Sequence, residues 1–216
     1  MWYNKVIAAH LRKGRTRQNR QEEAAMSLFA PDATFTCYRD VTTEWLRAAG
    51  VRVLLLDIDN TLAPYEQPDP DSEIIAWLNG LSAAGITAAF LSNNHGERVE
   101  RFNRALALPV RCSAKKPLPG NAKKLLRALG GNKKNTALLG DQIFTDVLCA
   151  HLAGIRAFLV PPIKDRTDRG TRFKRYMEKG ILKRYYKKHP TAPDVRELSP
   201  LRAEFERRSA GEETKK

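Results

Sequence analysis

Residues 54–62 read Leu54-Leu55-Leu56-Asp57-Ile58-Asp59-Asn60-Thr61-Leu62, an apolar run that ends in two acids and a hydroxyl. Such a run is typical of a parallel strand that is buried on both faces. Alternate strand residues point to the same side, so Asp57 and Asp59 would share one pocket while the chain stays extended. Neighbouring carboxylates repel each other unless a cation or a proton lies between them. The stretch therefore indicates a metal site, and the alternative is an Asx turn at a strand end.

Strand-like and helix-like segments alternate around this stretch. Apolar runs predict strands at 51–56, 86–91, 109–112, 136–139 and 156–160. Helical spacing of apolar residues predicts helices at 42–50, 71–84, 97–106, 119–129 and 145–153. Repeated βα units build a parallel sheet with helices on both faces, so the expected fold class is α/β.

Polar residues follow four of these predicted strands. Asp57, Ser92, the Lys115-Lys116 pair and Asp141 each come just after a strand. In open parallel sheets, ligands bind beyond the carboxyl ends of the strands, near a switch point. We therefore expect these residues to meet in one crevice, although each taken singly is also explained as a turn, capping or solvated residue.

Composition sets the broad class of the protein. A chain of 216 residues suits one domain with tails, and three scattered cysteines without CxxC spacing argue against disulfides and a zinc site. The sequence shows neither an apolar run of membrane-span length nor a signal peptide, so we expect a cytoplasmic protein. The net charge of +14 favours phosphate-rich partners such as nucleic acid, anionic lipid or phosphorylated metabolites.

Four segments are expected along the chain. Residues 1–27 form a basic extension, which is either untranslated, with Met26 as the true start, or an arm that binds a polyanion. Residues 28–165 form the folded domain, 166–189 a basic amphipathic helix, and 190–216 a polar, loosely attached or disordered tail.

The basic segment carries a regular apolar pattern. Residues 164–188 hold eleven Lys or Arg residues against three acids, and Phe173, Met177, Ile181 and Tyr185 recur every four residues. A helix here would present an apolar seam between basic flanks. Two interpretations stay open: the helix lies on an anionic membrane, peripheral to it, or the seam packs against the domain or a partner subunit.

Four motifs carry a resemblance to a known superfamily. They are Asp57-Ile58-Asp59-Asn60-Thr61, Ser92-Asn93-Asn94, Lys116-Pro117 and Gly140-Asp141-Gln142-Ile143-Phe144-Thr145-Asp146. In this order they resemble the motifs of the haloacid dehalogenase (HAD) superfamily of phosphohydrolases. The opening Phe29-x-Pro31 and the GDQxxTD box are similar to subfamily IIIA, the YqeG branch, which is related to phosphatidylglycerophosphate phosphatases. The resemblance implies a HAD-like (Rossmannoid) sheet over residues 28–165.

The resemblance also implies roles for the residues of the motifs. Asp57 would be the nucleophile that forms an aspartyl-phosphate, and Asp59 the general acid and then base. Thr61, Ser92 and Asn93 would bind the phosphorylated substrate through hydrogen bonds.

A positive charge and a metal complete the implied site. Lys116 would supply a positive charge to the transferring phosphoryl group. Asp141 would bind Mg²⁺ with the Asp57 carboxylate and the Asp59 carbonyl, and Asp146 would either join this site or orient Lys116.

The spacing of the motifs bears on the substrate. No cap domain fits between Thr61 and Ile86 or between Ser92 and Lys116, so we expect an open cleft that suits a phosphate on something large. The leading hypothesis is a Mg²⁺-dependent phosphomonoesterase, with phosphatidylglycerophosphate the substrate that the relatives suggest. The alternatives are a polynucleotide phosphatase or nucleic-acid-binding protein, motivated by charge, and a catalytically idle HAD scaffold.

Overall fold

The computed structural model describes residues 27–164, 169–197 and 199–213. The expectations for the basic extension at 1–27 therefore lie outside the described residues, except at residue 27. Side chains at 169–176 and 208–213 also lie outside the description.

Six strands form one parallel sheet. They are β1 (Ala33–Thr34), β2 (Val53–Leu56), β3 (Thr87–Leu91), β4 (Val110–Arg111), β5 (Thr136–Gly140) and β6 (Arg156–Leu159). Their order across the sheet is β1-β6-β5-β2-β3-β4, and every pair is parallel. The predicted α/β class is confirmed.

Helices cover both faces of the sheet. They are α1 (Thr43–Ala48), α2 (Ser72–Ala83), α3 (Gly96–Asn103), α4 (Gly120–Ala128), α5 (Leu148–Ala153), α6 (Arg169–Lys188) and α7 (Leu201–Glu213). A 3-10 turn spans Tyr38–Asp40, and a π-helical turn at Ile143–Val147 leads into α5. Between residues 61 and 116 the chain forms only α2, α3, their loops and two strands, so no cap domain is inserted there.

The central strand β2 divides the core into two layers. Leu54 and Leu56 pack on one face among residues of α1, α2 and α3, whereas Val53 and Leu55 pack on the other face among residues of α4 and α5. All four strand residues are buried, which explains the continuous apolar run.

The order of the strands creates a crevice beside β2. From β2 the chain winds outward through β3 and β4, then returns to the other side of β2 to form β5 and β6. Helices that begin on opposite sides of the sheet separate at such a switch point and leave a cleft at the carboxyl ends of the strands. The topology therefore places the residues that follow β2, β3 and β5 around one cleft.

The structure differs from the sequence predictions at three places. Strand β1 was not predicted because two residues are too short to show a periodic pattern. The helix predicted from Thr145 opens with a π turn instead of an α turn. Within the tail that was expected to be loosely attached or disordered, Leu201 begins α7 and is buried in the core, and Phe205 also packs against this core.

Helix α6 resolves part of the question about the apolar seam. Ile181 and Tyr185 are buried, and Leu182 beside them packs with Ile181 in the core layer of α4 and α5. Met177 remains half exposed, and the side chain of Phe173 lies outside the description. The seam from Ile181 onward therefore packs against the domain. None of the helices over the described residues has the length and apolar content needed to cross a membrane.

The segment that precedes β1 is fastened to α5 by a histidine. The two ring nitrogens of His151 lie 2.8 Å from the Leu28 carbonyl oxygen and 3.0 Å from an Asp32 carboxylate oxygen. Only a protonated imidazole donates from both nitrogens. Burial alone would lower the pKa of His151, but these two acceptors raise it above its usual value of 6.5. Burial alone would raise the pKa of Asp32, but His151 and the Ala157 amide hold it below its usual 3.8.

We predict that His151→Gln destabilises the protein by about 1 kcal/mol at pH values at which the wild-type imidazole ring is charged. Because the folded pKa of His151 is raised, its contribution is complete below pH 6.5 and is lost as pH rises through the folded value. The Asp32 contribution is instead lost as pH falls through its lowered pKa.

Urea unfolding of both proteins at about pH 5.5 and about pH 9 measures this difference. The destabilisation should be larger at the lower pH, and His95→Gln, at an exposed histidine, is the control. A destabilisation by His151→Gln that is equal at both values would contradict a charged His151.

Candidate active site

Asp57 directly follows β2 and lines a cleft at the carboxyl end of the sheet. Its amide donates to the Leu139 carbonyl at 2.9 Å, so the ladder with β5 extends one residue beyond the strand. The residue is only 7% exposed. Burial raises the pKa of Asp57 to about 7 despite the opposing influence of the Lys116 ammonium. A cation bound next to Asp57 would favour its ionised form.

The chain turns sharply after Asp57. Asn60 has a positive φ of 64°, and its amide donates to the Ala63 carbonyl at 2.7 Å. Asparagine tolerates this left-handed conformation better than most residues. The turn means that Asp59 does not continue an extended strand, yet Asp57 and Asp59 both line the cleft. The predicted shared pocket therefore holds, but a tight turn produces it.

Lys116 lies buried between two carboxylates. Its Nζ atom is 2.6 Å from Asp57 Oδ1 and 2.6 Å from Asp146 Oδ1, and its side chain is 3% exposed. Burial alone would lower the pKa of Lys116, but Asp146 and Asp57 raise it above its usual value. The ammonium therefore stays charged and fixes both carboxylates. This arrangement distinguishes Lys116 from its neighbour Lys115, which is exposed.

Asn93 holds the backbone of Lys116. Its amide nitrogen donates to the Lys116 carbonyl at 3.0 Å, and its Oδ1 accepts from the Lys116 amide at 2.7 Å. Asn93 also lines the cleft, so its predicted contact with substrate stays a prediction. Ser92 is buried at the end of β3, and its Oγ accepts from the Asn94 amide at 3.1 Å. These bonds fix the loop after β3 against the loop that carries Lys116.

Three carboxylates form a buried cluster. Asp57, Asp141 and Asp146 each place an oxygen within 4.8 Å of the other two. Thr61 Oγ1 lies 3.5 Å from Asp141 Oδ1. Lys116 bonds to two of these carboxylates, those of Asp57 and Asp146. Three buried carboxylates that converge in this way form an all-oxygen donor set, which fits a hard divalent cation such as Mg²⁺.

Asp146 has both oxygens engaged by the protein. Oδ1 accepts from Lys116, and Oδ2 accepts from the Gln142 amide and the Thr145 hydroxyl, both at 3.1 Å. Asp146 thus contacts Lys116 and also belongs to the carboxylate cluster, so both roles expected from the sequence stay predictions. Gly140 makes room for it, because a Cβ at this position would lie 2.3 Å from Asp146 Cγ.

The cleft has a volume of about 430 Å³ and a polar lining. Five of the predicted residues line it, namely Asp57, Asp59, Ser92, Asn93 and Lys116, whereas Thr61, Asp141 and Asp146 are not in its lining. The other lining residues are Asn60, Tyr65, Asn94, His95, Gln142 and Thr145. Gln142 and Thr145 lie inside a recognised motif, but the sequence alone did not indicate that they line the cleft. The sequence predictions also missed Arg98, which reaches Asp59 from α3. In the sequence, Arg98 is indistinguishable from a solvated helix residue.

Comparison with known proteins is consistent with this site. A model of the HAD-hydrolase-like family matches residues 113–179. A protein of Bacillus subtilis (strain 168), named "Probable phosphatase YqeG", is 31% identical over 154 residues, which cover 71% of this chain and 90% of that protein.

Two solved structures are also similar to the chain. A Legionella pneumophila protein described as a HAD superfamily (subfamily III A) hydrolase is 20% identical, with a TM-score of 0.42. The match covers 67% of this chain and 89% of that chain. The 3-deoxy-D-manno-octulosonate 8-phosphate phosphatase of Moraxella catarrhalis, solved with magnesium, phosphate and its sugar, is 17% identical with a TM-score of 0.42, covering 65% and 91%.

The parallel sheet, the order of the motifs and the acidic cluster define a HAD-type phosphatase. The extent of the match to the Bacillus protein shows the narrower group: the chain belongs to the YqeG family. The resemblance drawn from the four motifs is thus confirmed.

We predict that Gly140→Ala disrupts the site and destabilises the fold by about 1–3 kcal/mol, because the added methyl overlaps Asp146 in a packed interior. Gly80→Ala is the matched control. Gly80 lies in α2 with open space around it, so the same change should stabilise by about 0.5–1 kcal/mol. Thermal unfolding measures both effects, and equal stability of Gly140→Ala and the wild type would contradict the close packing of Asp146.

Proposed function

We propose that this protein is a Mg²⁺-dependent phosphomonoesterase that works through an aspartyl-phosphate on Asp57. The observation that carries the proposal is the buried Asp57 carboxylate, fixed by Lys116 and placed within 4.8 Å of Asp141 and Asp146 carboxylate oxygens. A carboxylate held in this way in the wall of a polar cleft is suited to nucleophilic attack on phosphorus.

In the first step, a carboxylate oxygen of Asp57 attacks phosphorus while the bond to the leaving alcohol breaks. The Lys116 ammonium, beside Asp57, offsets the charge on the phosphoryl oxygens. Ser92 lines the cleft, and Thr61 is buried beside Asp141; both would donate hydroxyl groups to the same oxygens. The protein's own task is thus to position the nucleophile and to stabilise charge.

Asp59 serves as the proton donor and acceptor. Its carboxyl group lines the cleft beside Asp57 without touching Lys116 in the described hydrogen bonds. It gives a proton to the leaving oxygen and then takes one from the water that hydrolyses the intermediate. Two acids thus perform separate tasks because their partners differ.

The metal ion would be held by Asp141 and Asp57, with the Asp59 carbonyl as a further ligand. When bound, Mg²⁺ supplies Lewis-acid stabilisation of the phosphoryl oxygens. Asp146 contributes by fixing Lys116, and its charge adds to the attraction of the cluster for a cation.

The substrate we propose is phosphate on a lipid head group, with phosphatidylglycerophosphate as the first candidate. No cap domain is inserted between residues 61 and 116, which is consistent with access for a phosphate on a large carrier. Lys183, Arg184, Lys187 and Lys188 are exposed on α6, while its apolar seam from Ile181 onward is used by the domain. Contact with an anionic membrane would therefore be electrostatic, without insertion of that seam.

We predict that Asp57→Asn abolishes hydrolysis of p-nitrophenyl phosphate in the presence of Mg²⁺, because an amide does not attack phosphorus. The matched control is Asp69→Asn, at an exposed acid paired with Arg101. Both variants should unfold cooperatively, and chelation of the metal should inactivate the wild type. Wild-type turnover by Asp57→Asn would refute the nucleophile assignment.

We predict that the double change Lys183→Glu, Lys187→Glu slows hydrolysis of a vesicle-borne phosphate more than that of a soluble phosphate, because it reverses charge on the exposed face of α6. The control Lys123→Glu, Lys124→Glu makes the same charge change at exposed positions on α4. Vesicles with anionic lipid and the soluble substrate are assayed side by side, with a polynucleotide phosphate as the alternative substrate. Equal losses of activity on the two substrates, or equal losses in the two double variants, would contradict a contact between α6 and the membrane.

A further inference from the structure

An arginine outside the recognised motifs contacts the proposed proton donor. Arg98 lies on α3, and its Nη2 is 3.3 Å from Asp59 Oδ1. Both side chains are only 13% exposed. The pair joins the turn after β2 to a helix that follows β3, across 39 residues of sequence. An ion pair this well shielded is screened far less than a surface pair.

Two donors act on the Asp59 carboxylate together. Asn94 Nδ2 donates to Oδ2 at 3.0 Å, while Arg98 approaches Oδ1. Each oxygen of the carboxylate therefore has its own donor. A side chain on a tight turn otherwise samples several rotamers, so two donors on different oxygens restrict both its position and its rotation.

Arg98 is itself held in place. Its Nη1 donates to the Pro68 carbonyl at 3.1 Å, and the guanidinium lies 5.2 Å from the centre of the Phe102 ring. Arg101, one turn further along α3, instead makes an exposed pair with Asp69. Two arginines of one helix thus differ in burial and in partner, and only Arg98 reaches an acid of the cleft.

We propose that Arg98 is a positioning residue that, with Asn94, aims the Asp59 carboxyl group at the leaving-group oxygen. This proposal rests on the proposed function. As the Asp57–phosphorus bond forms and the bond to the leaving oxygen breaks, the proton moves from Asp59 to that oxygen. The carboxylate that remains develops its negative charge beside a guanidinium that is already in place.

Leaving-group dependence separates this role from general support of the fold. Arg98→Met keeps an unbranched stem over Phe102 and removes the charge and the donors. The parameter kcat/KM reports only the steps up to departure of the alcohol, so hydrolysis of the intermediate does not enter it. For p-nitrophenyl phosphate, whose leaving group needs no proton, the loss should be small. The alkoxide that leaves glycerol 2-phosphate does need a proton. For this substrate the loss of kcat/KM should therefore be at least about ten-fold greater than for p-nitrophenyl phosphate.

Arg98→Lys restores a cation near Asp59 and should recover part of the lost kcat/KM. Arg101→Met should leave kcat/KM unchanged for both substrates. In an Asp59→Asn background, Arg98→Met should add less than about a two-fold further loss, because the two residues act as one unit. If Arg98→Met does not fold, Asn94→Ala, which removes the other donor, should give the same selective loss.

Equal losses on the two substrates, no loss on either, or a full further loss in the Asp59→Asn background would overturn the proposal. Failure of the proposed function looks different, because the wild type would then hydrolyse neither phosphate. Thermal unfolding of each variant shows the folded fraction to which the rates refer.

Discussion

The arrangement of the site depends on the ammonium of Lys116, which lies between Asp57 and Asp146 with both oxygens at 2.6 Å. Removing an ionic group from water is costly, and breaking such a buried pair by losing one partner costs about 3–5 kcal/mol. The surrounding backbone therefore has to hold the three charges together. Asn93 fixes the Lys116 backbone, and Gly140 leaves the space in which Asp146 lies.

The sheet brings these charges together from distant parts of the chain. Asp57 follows β2 and Asp141 follows β5, and the two strands are direct neighbours although about eighty residues separate them. Each strand end contributes one group, and the switch point beside β2 leaves the crevice open. The same topology explains why the acids are individually ordinary in the sequence: their chemistry depends on neighbours that only the folded sheet supplies.

Much of this could be predicted from the sequence, for identifiable reasons. Buried parallel strands give continuous apolar runs, so the strand before Asp57 and the residues after it were recognisable. The partner of the α6 seam stayed open and the helix from Leu201 was not predicted, because apolar residues in a basic or polar segment do not say what covers them. The contacts of Arg98 left no pattern at all, since they depend on a tertiary approach between α3 and the turn after β2.

Because no cap domain is inserted between residues 61 and 116, the contacts that Asp59 makes within the domain become more important. An inserted domain can close over a cleft and arrange groups around the reacting atoms when substrate binds. Here the chain between residues 61 and 116 forms only parts of the sheet and its covering helices. Asn94 and Arg98 instead give each oxygen of the Asp59 carboxylate a contact that is already present in the protein. In a cleft of this kind the catalytic groups are in position before the substrate binds, and the cleft does not need to close. This arrangement suits a phosphate that is attached to a large carrier.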